Sequence, residues 1–200
     1  MNKFIYYIVK CIGVVIFKLL YFPKIEGKEN IPKTGGVVIT CNHTSFLDGI
    51  FMVYACNRPI HMLAKKELFK KGILNFGFRS IGCIPVDRSI HDENAKSEVI
   101  DILNEGKVLG IFPEGTINRT FGTKDEVMFL PFKRGAFKFA SKTDSYIVPA
   151  VVSGGYNMFK GTAKITYGKP YKVESDFDKE NKKLVKTMEK MLKNEEKMQK

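Results

Sequence analysis

Short apolar runs bounded by turn-forming residues alternate along this chain with stretches whose apolar positions recur at helical spacing. Short runs of this kind are typical of buried strands, and the helical spacing is typical of helices with one apolar face. The pattern predicts strands at 36–41, 60–64, 83–86, 108–112, 146–152 and 163–167. It predicts helices at 48–56, 93–104, 134–141 and 178–200. This alternation indicates an α/β fold, a single domain with a central, mostly parallel or mixed sheet flanked by helices.

The first apolar segment, 4–22, predicts a helix whose lysines share one side. At helical spacing Lys3, Lys10 and Lys18 lie within about 80° of one another. We interpret it as a helix lying in the membrane interface, with its lysines at anionic headgroups. The residues expected to enter the acyl region are Phe4, Ile5, Ile8, Val15 and Phe17. The alternatives are an ordinary packed helix and a spanning helix, which would bury Lys10 at a cost of about 2.5 to 3.5 kcal/mol unless it snorkels or pairs.

Two further segments combine charge with apolar residues. In 65–78, basic pairs interleave with aromatic and aliphatic side chains, which fits either lipid headgroups or a core-facing helix with a solvated lysine face. The C-terminal helix is expected to pack by one narrow apolar face, and a membrane role is the alternative. That face is formed by Leu184, Met188, Met191 and Leu192. The predicted organisation is a membrane-associating helix and connector (1–30), an α/β domain (31–175) and a C-terminal helix (176–200).

Composition narrows the choice of partners and compartment. A chain of 200 residues with 44% hydrophobic content can bury one substantial core. The net charge of +12 requires an anionic partner, which could be nucleic acid, an acidic membrane surface or a phosphorylated small molecule. No nucleic-acid recognition signature accompanies the charge. The four cysteines form no C-x-x-C pair, which argues against a zinc site or a disulfide framework and favours a reducing compartment.

The most specific chemical feature is the spacing of His43 and Asp48 at the turn between a predicted strand and a predicted helix. A carboxylate bonded to one imidazole nitrogen fixes the tautomer, so that the other nitrogen can take a proton from a substrate hydroxyl. Neither His61 nor His91 has an acidic residue five positions on. The pair is a candidate general base, although a histidine bonded only within its own turn would show the same spacing.

Three other strands lead into residues suited to an anion or a pocket. Arg88 follows the third predicted strand, where a guanidinium can hold a phosphate by two parallel hydrogen bonds, although surface arginines are common. Glu114-Gly115-Thr116 leaves the fourth strand in a turn whose amides and hydroxyl can face an anion, with Arg119 close behind. Pro149 interrupts the fifth strand, which is consistent with an edge position or a strand end near a pocket, although a purely structural role is the favoured interpretation.

Together these turns resemble the four motif blocks of the glycerolipid acyltransferase family. In order, the blocks are Asn42-His43-x-Ser45-x-x-Asp48, the segment 82–88, the segment 112–116 and Val148-Pro149. The segment 131–136 also looks family-like, and bacterial lysophosphatidic acid acyltransferases are the members that the chain resembles most. Because four ordered blocks make a chance match improbable, the resemblance favours a catalytic His43.

The resemblance implies transfer of a fatty acyl group from a thioester of acyl carrier protein or coenzyme A to the sn-2 hydroxyl of lysophosphatidic acid. The product would be phosphatidic acid, and the chemistry requires neither a cofactor nor a metal. His43 is expected to deprotonate the hydroxyl while Asp48 orients the ring. The implied location is the cytoplasmic face of the cell membrane, peripheral or monotopic. The residues expected to bind the phosphate or seat the glycerol are Arg88, Glu114, Gly115, Thr116, Arg119 and Lys133.

One residue departs from the family pattern, because Ile117 follows the Glu-Gly-Thr triplet where the family commonly has arginine. Either Arg119 reaches the phosphate from a longer loop, or the acceptor is another lysolipid or glycerol 3-phosphate. A hydrolase would share the acyl chemistry and use water, but no G-x-S-x-G nucleophile elbow occurs. A non-catalytic membrane adaptor is a third class, which the intact site residues oppose.

Overall fold

The computed structural model describes residues 2–70, 72–87, 92–121 and 128–198. Within these ranges the strands are β1 (Lys24–Glu26), β2 (Val37–Cys41), β3 (Ile60–Lys65), β4 (Cys83–Val86), β5 (Val108–Ile111), β6 (Tyr146–Ser153), β7 (Lys164–Tyr167) and β8 (Tyr171–Lys172). The α-helices are α1 (Lys3–Tyr21), α2 (Leu47–Ala55), α3 (Gly72–Ser80), α4 (Glu93–Asn104), α5 (Gly135–Lys142) and α6 (Phe177–Met198). Short 3-10 helices cover Lys28–Asn30 and Lys66–Phe69.

The described strands join one mixed sheet in the order β1-β7-β6-β2-β5-β3-β4, with β8 also beside β6. Neighbouring strands are parallel except that β6 pairs antiparallel with β7 and β8. The predicted α/β fold with a mixed sheet flanked by helices is therefore confirmed. The pattern missed β1 and β8 because strands of three and two residues are too short to show a period.

Alternate residues of the central strands supply two separate cores, one on each face of the sheet. In β2, Val37 and Ile39 belong to the core that packs against α1 and α2, whereas Val38 belongs to the core beneath α4, α5 and α6. Every residue of β2 is buried, as expected for a parallel strand covered on both faces. The turn with His43 and Asp48 therefore follows a strand that is fixed by packing on both of its faces.

Helix α1 turns toward the protein some of the side chains that the sequence pattern assigned to lipid. Phe17 is 3% exposed and packs on the ring of Phe51 at 5.2 Å between centroids, so the prediction that it enters the acyl region was wrong. Lys10 was also wrongly assigned, because its Nζ donates to the carbonyl oxygen of Cys56 at 2.6 Å. Cys56 is the C-cap residue of α2, so its carbonyl is an acceptor without a helical partner at the negative end of the helix dipole, and both properties favour a cation.

Pro149 lies in the middle of a central strand, so the less favoured interpretation, an edge position or a strand end, was wrong. On the side of β6 that faces β7 and β8, the ladder with β8 stops at Ile147 and the ladder with β7 starts at Ala150. Pro149 occupies the gap, where the sheet requires no amide donor, and its carbonyl accepts from the Gly168 amide at 2.8 Å. Interruption of the neighbouring ladder therefore explains a proline inside a sheet.

The C-terminal helix packs as the spacing predicts. Leu184, Met188 and Leu192 are buried in the core beneath α6, and Met191 is partly buried against it. The segment 65–78 contains a 3-10 helix and most of α3, with Lys65 and Lys66 exposed. The predicted boundaries of the membrane-associating helix and connector (1–30), the α/β domain (31–175) and the C-terminal helix (176–200) remain predictions.

Candidate active site

Three neighbouring strands of the sheet, β6, β2 and β5, run parallel and end at the same edge. His43 follows β2, Glu114 follows β5 and Tyr156 follows β6. Crevices at the carboxyl ends of parallel strands are where α/β sheets bind ligands. Side chains that are far apart in the sequence therefore meet at one edge.

Asp48 is held in the first turn of α2 with its carboxylate inside the protein, 0% exposed. Its Oδ2 accepts hydrogen bonds from the backbone amides of Thr44 and Ser45, both at 2.7 Å, and lies 3.1 Å from Nδ1 of His43. Its Oδ1 accepts from the hydroxyl of Tyr156 at 2.6 Å. These donors compensate the negative charge that burial would otherwise penalise. The predicted pair of His43 and Asp48 is thus in direct contact.

The ring and the backbone of His43 are both held by the loop that follows β5. The ring stacks on Phe112 with centroids 3.9 Å apart and planes 9° apart. The His43 amide donates to Oε1 of Glu114 at 2.9 Å, and its carbonyl accepts from the Asn118 amide at 2.6 Å. Because Nδ1 faces Asp48, Nε2 is the nitrogen left to exchange a proton, and the side chain is 15% exposed. This arrangement can act as a general base.

Glu114 supports the turn with both carboxylate oxygens. One oxygen accepts from the His43 amide and the other accepts from the Leu130 amide at 2.8 Å. Burial raises the pKa of the Glu114 carboxyl, and the two backbone hydrogen bonds and the neighbouring His43 oppose that shift. The predicted contact of this loop with substrate stays a prediction, whereas the structure shows the carboxylate joined to two backbone segments.

Gly115 and Lys133 lie against each other beside Glu114. Gly115 has a φ of 72°, and a Cβ built on it would come within 2.9 Å of the Lys133 Cε and Nζ atoms. The Lys133 amide also donates to the carbonyl of Pro113 at 2.8 Å. The positive φ favours glycine here, and the contact with the flexible end of Lys133 shows how closely that side chain approaches the turn. The structure brings the predicted residues Lys133, Glu114 and Gly115 together.

The remaining predicted phosphate ligands are less closely placed. Thr116 and Arg119 are exposed on the loop that follows β5, and Ile117 is half-buried between them. Arg88 lies outside the described residues. The roles of these three polar side chains remain predictions from the resemblance.

Tyr156 and Phe112 contact the pair and were missed as site residues by sequence reasoning. Phe112 was noticed only as part of its turn, and Tyr156 is 108 positions from its partner Asp48. A signal for Tyr156 exists only in the preceding Gly154 and Gly155, whose φ values of 77° and 67° allow a sharp turn after β6. Such a turn indicates a change of direction but not which side chain it delivers.

Asn42 and Cys41 have structural rather than catalytic surroundings. The buried Asn42 side chain bonds both backbone groups of Val152, donating at 3.0 Å and accepting at 2.7 Å, which ties the end of β2 to β6. Burial raises the pKa of the Cys41 thiol, and the charges of Asp48 and Glu114 raise it further. A thiol held neutral is a poor nucleophile, so the chemistry at this edge centres on His43.

Comparison with known proteins shows to which family the chain belongs. Residues 23–153 match the family model described as Acyltransferase. The chain belongs to the acyltransferase family. The four motif blocks and the segment 131–136 all fall within the matched segment, including the turn that holds His43 and Asp48.

This acyltransferase is similar to curated relatives and to a solved structure. It is 36% identical over 161 residues to the 1-acyl-sn-glycerol-3-phosphate acyltransferase of Bacillus subtilis, covering 78% of this chain and 77% of the relative. It is 36% identical over 137 residues to the Borreliella burgdorferi protein of the same name, covering 68% of this chain and about half, 52%, of that relative. The crystal structure of the 1-acyl-sn-glycerophosphate (LPA) acyltransferase PlsC from Thermotoga maritima matches 96% of this chain and 80% of that one at a TM-score of 0.74 and 22% identity, which supports the fold.

Proposed function

We propose that this acyltransferase transfers a fatty acyl group from a thioester to the sn-2 hydroxyl of lysophosphatidic acid and forms phosphatidic acid. The observation that carries the proposal is the 3.1 Å contact of His43 with the buried Asp48 in a chain that belongs to the acyltransferase family. The names of the Bacillus subtilis and Borreliella burgdorferi relatives support 1-acyl-sn-glycerol 3-phosphate as the acceptor.

In the proposed reaction His43 acts twice. Its Nε2 takes the proton of the acceptor hydroxyl while the hydroxyl oxygen forms a bond to the thioester carbonyl carbon. The carbon–sulfur bond then breaks, and the thiol leaves with the proton that His43 returns. Asp48 stabilises the imidazolium that exists between these steps, and holding both substrates at one edge removes the cost of their encounter. No covalent intermediate on the protein is needed.

Binding the phosphate of the acceptor requires cationic side chains close to His43, at the carboxyl ends of β2 and β5. Lys133 lies against Gly115 beside the turn, and Arg119 is exposed on the same loop. A lysine presents a point charge and an arginine a fork of donors, so together they suit a phosphate. We assign the phosphate to these two residues and to Arg88, in keeping with the resemblance.

The membrane is the proposed location because the acceptor is a lipid and α1 is apolar. Residues 3–21 form a helix long and apolar enough to cross a membrane by length and composition. Only a narrow face packs on the protein. The large apolar side chains that α1 exposes are Phe4, Tyr7, Ile8, Val9, Ile12, Val15, Ile16 and Leu19. A helix that packs on α2 by one face and exposes apolar residues on the other suits an interfacial position, for which we propose the cytoplasmic face.

The test is phosphatidic acid formation by the purified full chain in lipid vesicles, with lysophosphatidic acid and either acyl carrier protein or coenzyme A thioester. We expect product with at least one donor and a loss of about 10²-fold or more in His43→Ala, as for removal of a general base. The matched control is His61→Gln, which removes a histidine at the opposite end of the sheet and is expected to leave the rate unchanged at pH 7.5.

Other outcomes identify other activities. Thioester loss without lipid product would favour a hydrolase over the proposed transferase. Absence of product with both donors would contradict the acceptor assignment, and the Ile117 departure would then direct a search among other lysolipids and glycerol 3-phosphate. The donor that yields product decides between acyl carrier protein and coenzyme A.

A further inference from the structure

The two oxygens of the Asp48 carboxylate have different surroundings. Oδ2 lies against the backbone amides of Thr44 and Ser45 and faces His43. Among the described residues, Oδ1 has one donor, the hydroxyl of Tyr156 at 2.6 Å. Rotation about the Cβ–Cγ bond of Asp48 moves both oxygens together, so a hydrogen bond to Oδ1 opposes the same rotation that would carry Oδ2 away from His43. Tyr156 therefore supplies the second point that orients Asp48.

The hydroxyl of Tyr156 can serve only as a donor to this carboxylate. Burial raises the pKa of the phenol far above its ordinary value, and the adjacent charge of Asp48 raises it further. The phenol stays protonated, and its proton points to the buried Oδ1. Hydrogen bonds between a neutral donor and a carboxylate are short and strong, which agrees with the separation of 2.6 Å.

The ring of Tyr156 is itself held by aromatic side chains of α1 and α2. Its centroid lies 6.1 Å from that of Phe17, 5.8 Å from that of Tyr21 and 6.2 Å from that of Phe51, each in an edge-to-face arrangement. Such pairs add attraction beyond the apolar area they bury. Phe17 and Tyr21 belong to α1, so the apolar helix contributes to the placement of the Tyr156 hydroxyl.

We propose that Tyr156 is a positioning residue that holds Asp48 in the orientation in which Oδ2 meets Nδ1 of His43. The proposal rests on the proposed function, in which His43 is the base. Tyr156 touches neither substrate in this role and acts through Asp48. A base whose partner can rotate spends less time in the reactive tautomer and orientation, so removing the hydroxyl slows the chemical step more than it weakens substrate binding.

The variant is Tyr156→Phe, which deletes the hydroxyl and keeps the aromatic contacts. We expect kcat to fall about tenfold while KM for each substrate changes less than about twofold, because the lost bond involves a charged acceptor. The matched control is Tyr54→Phe. Tyr54 packs on Phe17 and Phe51 of the same group and has no hydrogen-bond partner among the described residues, so its variant should keep the wild-type kcat.

A double-mutant cycle tests whether Tyr156 acts through Asp48. In an Asp48→Ala background Tyr156→Phe is expected to cause no further loss, because the group it orients is gone. An equal fold-loss in both backgrounds would overturn the proposal and make Tyr156 a general support of the fold.

Nitrogen-15 spectra of the His43 ring test the proposal independently of turnover. We expect the wild type and Tyr54→Phe to hold the proton on Nδ1, and Tyr156→Phe to move part of it to Nε2. An unchanged His43 spectrum in Tyr156→Phe would overturn the proposal even if activity fell. If the wild type makes no phosphatidic acid, the proposed function fails on that result, while the spectra still decide the role of Tyr156.

Discussion

At the scale of single residues, the site depends on buried carboxylates whose oxygens are occupied. The Asp48 carboxylate contacts the His43 ring and accepts hydrogen bonds from two backbone amides and one hydroxyl. The Glu114 carboxylate accepts hydrogen bonds from two amides of separate segments. Buried charges are tolerated only with such partners. The sequence predicts the His43 and Asp48 contact because it forms within one turn. It does not predict Tyr156, which is brought to Asp48 by the folding of β6 beside β2.

A second histidine gives a residue-scale prediction about stability and pH. His61 is 4% exposed on β3, and its Nε2 has no hydrogen-bond partner among the described residues. Burial lowers its pKa to about 4, and the charge of Lys107 contributes. The Arg79, Cys83 and Glu98 side chains face the same cavity.

As the pH falls, His61 therefore becomes protonated at a higher pH in the unfolded chain than in the folded protein. Its stabilising contribution is complete above about pH 6.5 and is lost as the pH falls toward 4. We expect the wild type to lose more stability than His61→Gln between pH 7 and pH 5, by on the order of 1 kcal/mol. Denaturant unfolding at the two pH values measures this, and equal losses would contradict the assignment.

At the scale of elements, α1 has two faces with separate tasks. Its inner face carries Tyr6, Phe17 and Tyr21 into the protein, and Tyr6 accepts a hydrogen bond from the Ile60 amide at 3.1 Å. Its outer face is apolar and exposed. The sequence pattern predicts a helix rich in apolar residues on almost all sides, and only contact with α2 and its neighbours, β3 and Tyr156 among them, decides which of them face the protein.

Charges on the outer face of α1 are expected to weaken membrane binding without disturbing the site. The variant is Ile12→Glu with Leu19→Glu, both more than half exposed. Buried carboxylates at a lipid interface are unfavourable, so sedimentation with anionic vesicles should fall severalfold. The control is Lys186→Gln with Lys193→Gln on exposed positions of α6, which changes the net charge equally. An equal fall in both pairs would attribute binding to net charge rather than to the apolar face.

At the scale of the whole molecule, an ionic cluster joins three elements at the β1 edge of the sheet. Lys164 of β7 is 8% exposed and pairs with Glu26 of β1 at 2.7 Å and with Glu195 of α6 at 2.5 Å. The hydroxyl of Thr166 donates to the other oxygen of Glu195 at 2.9 Å. The C-terminal helix is thereby attached to the sheet by charge as well as by its apolar face.

Loss of the central lysine should destabilise the whole domain. We expect Lys164→Met to lower the free energy of unfolding by about 3 kcal/mol, because it leaves the buried Glu195 without its cation. Lys172→Met, which breaks an exposed pair with Asp144, should cost less than about 1 kcal/mol. Denaturation curves of the two variants measure the difference, and similar values would show that the buried cluster contributes no more than a surface pair.

The sequence by itself determined the class of fold, the main strands and helices, and the His43 turn, because hydrophobic spacing and contacts a few residues apart are local properties. Only the tertiary structure decided the place of Pro149 in a central strand, the inward direction of Lys10 and Phe17, and the contact of Tyr156 with Asp48. Each depends on which elements become neighbours. A strand order that places β6 beside β2 joins residues 108 positions apart, and no local pattern records that adjacency.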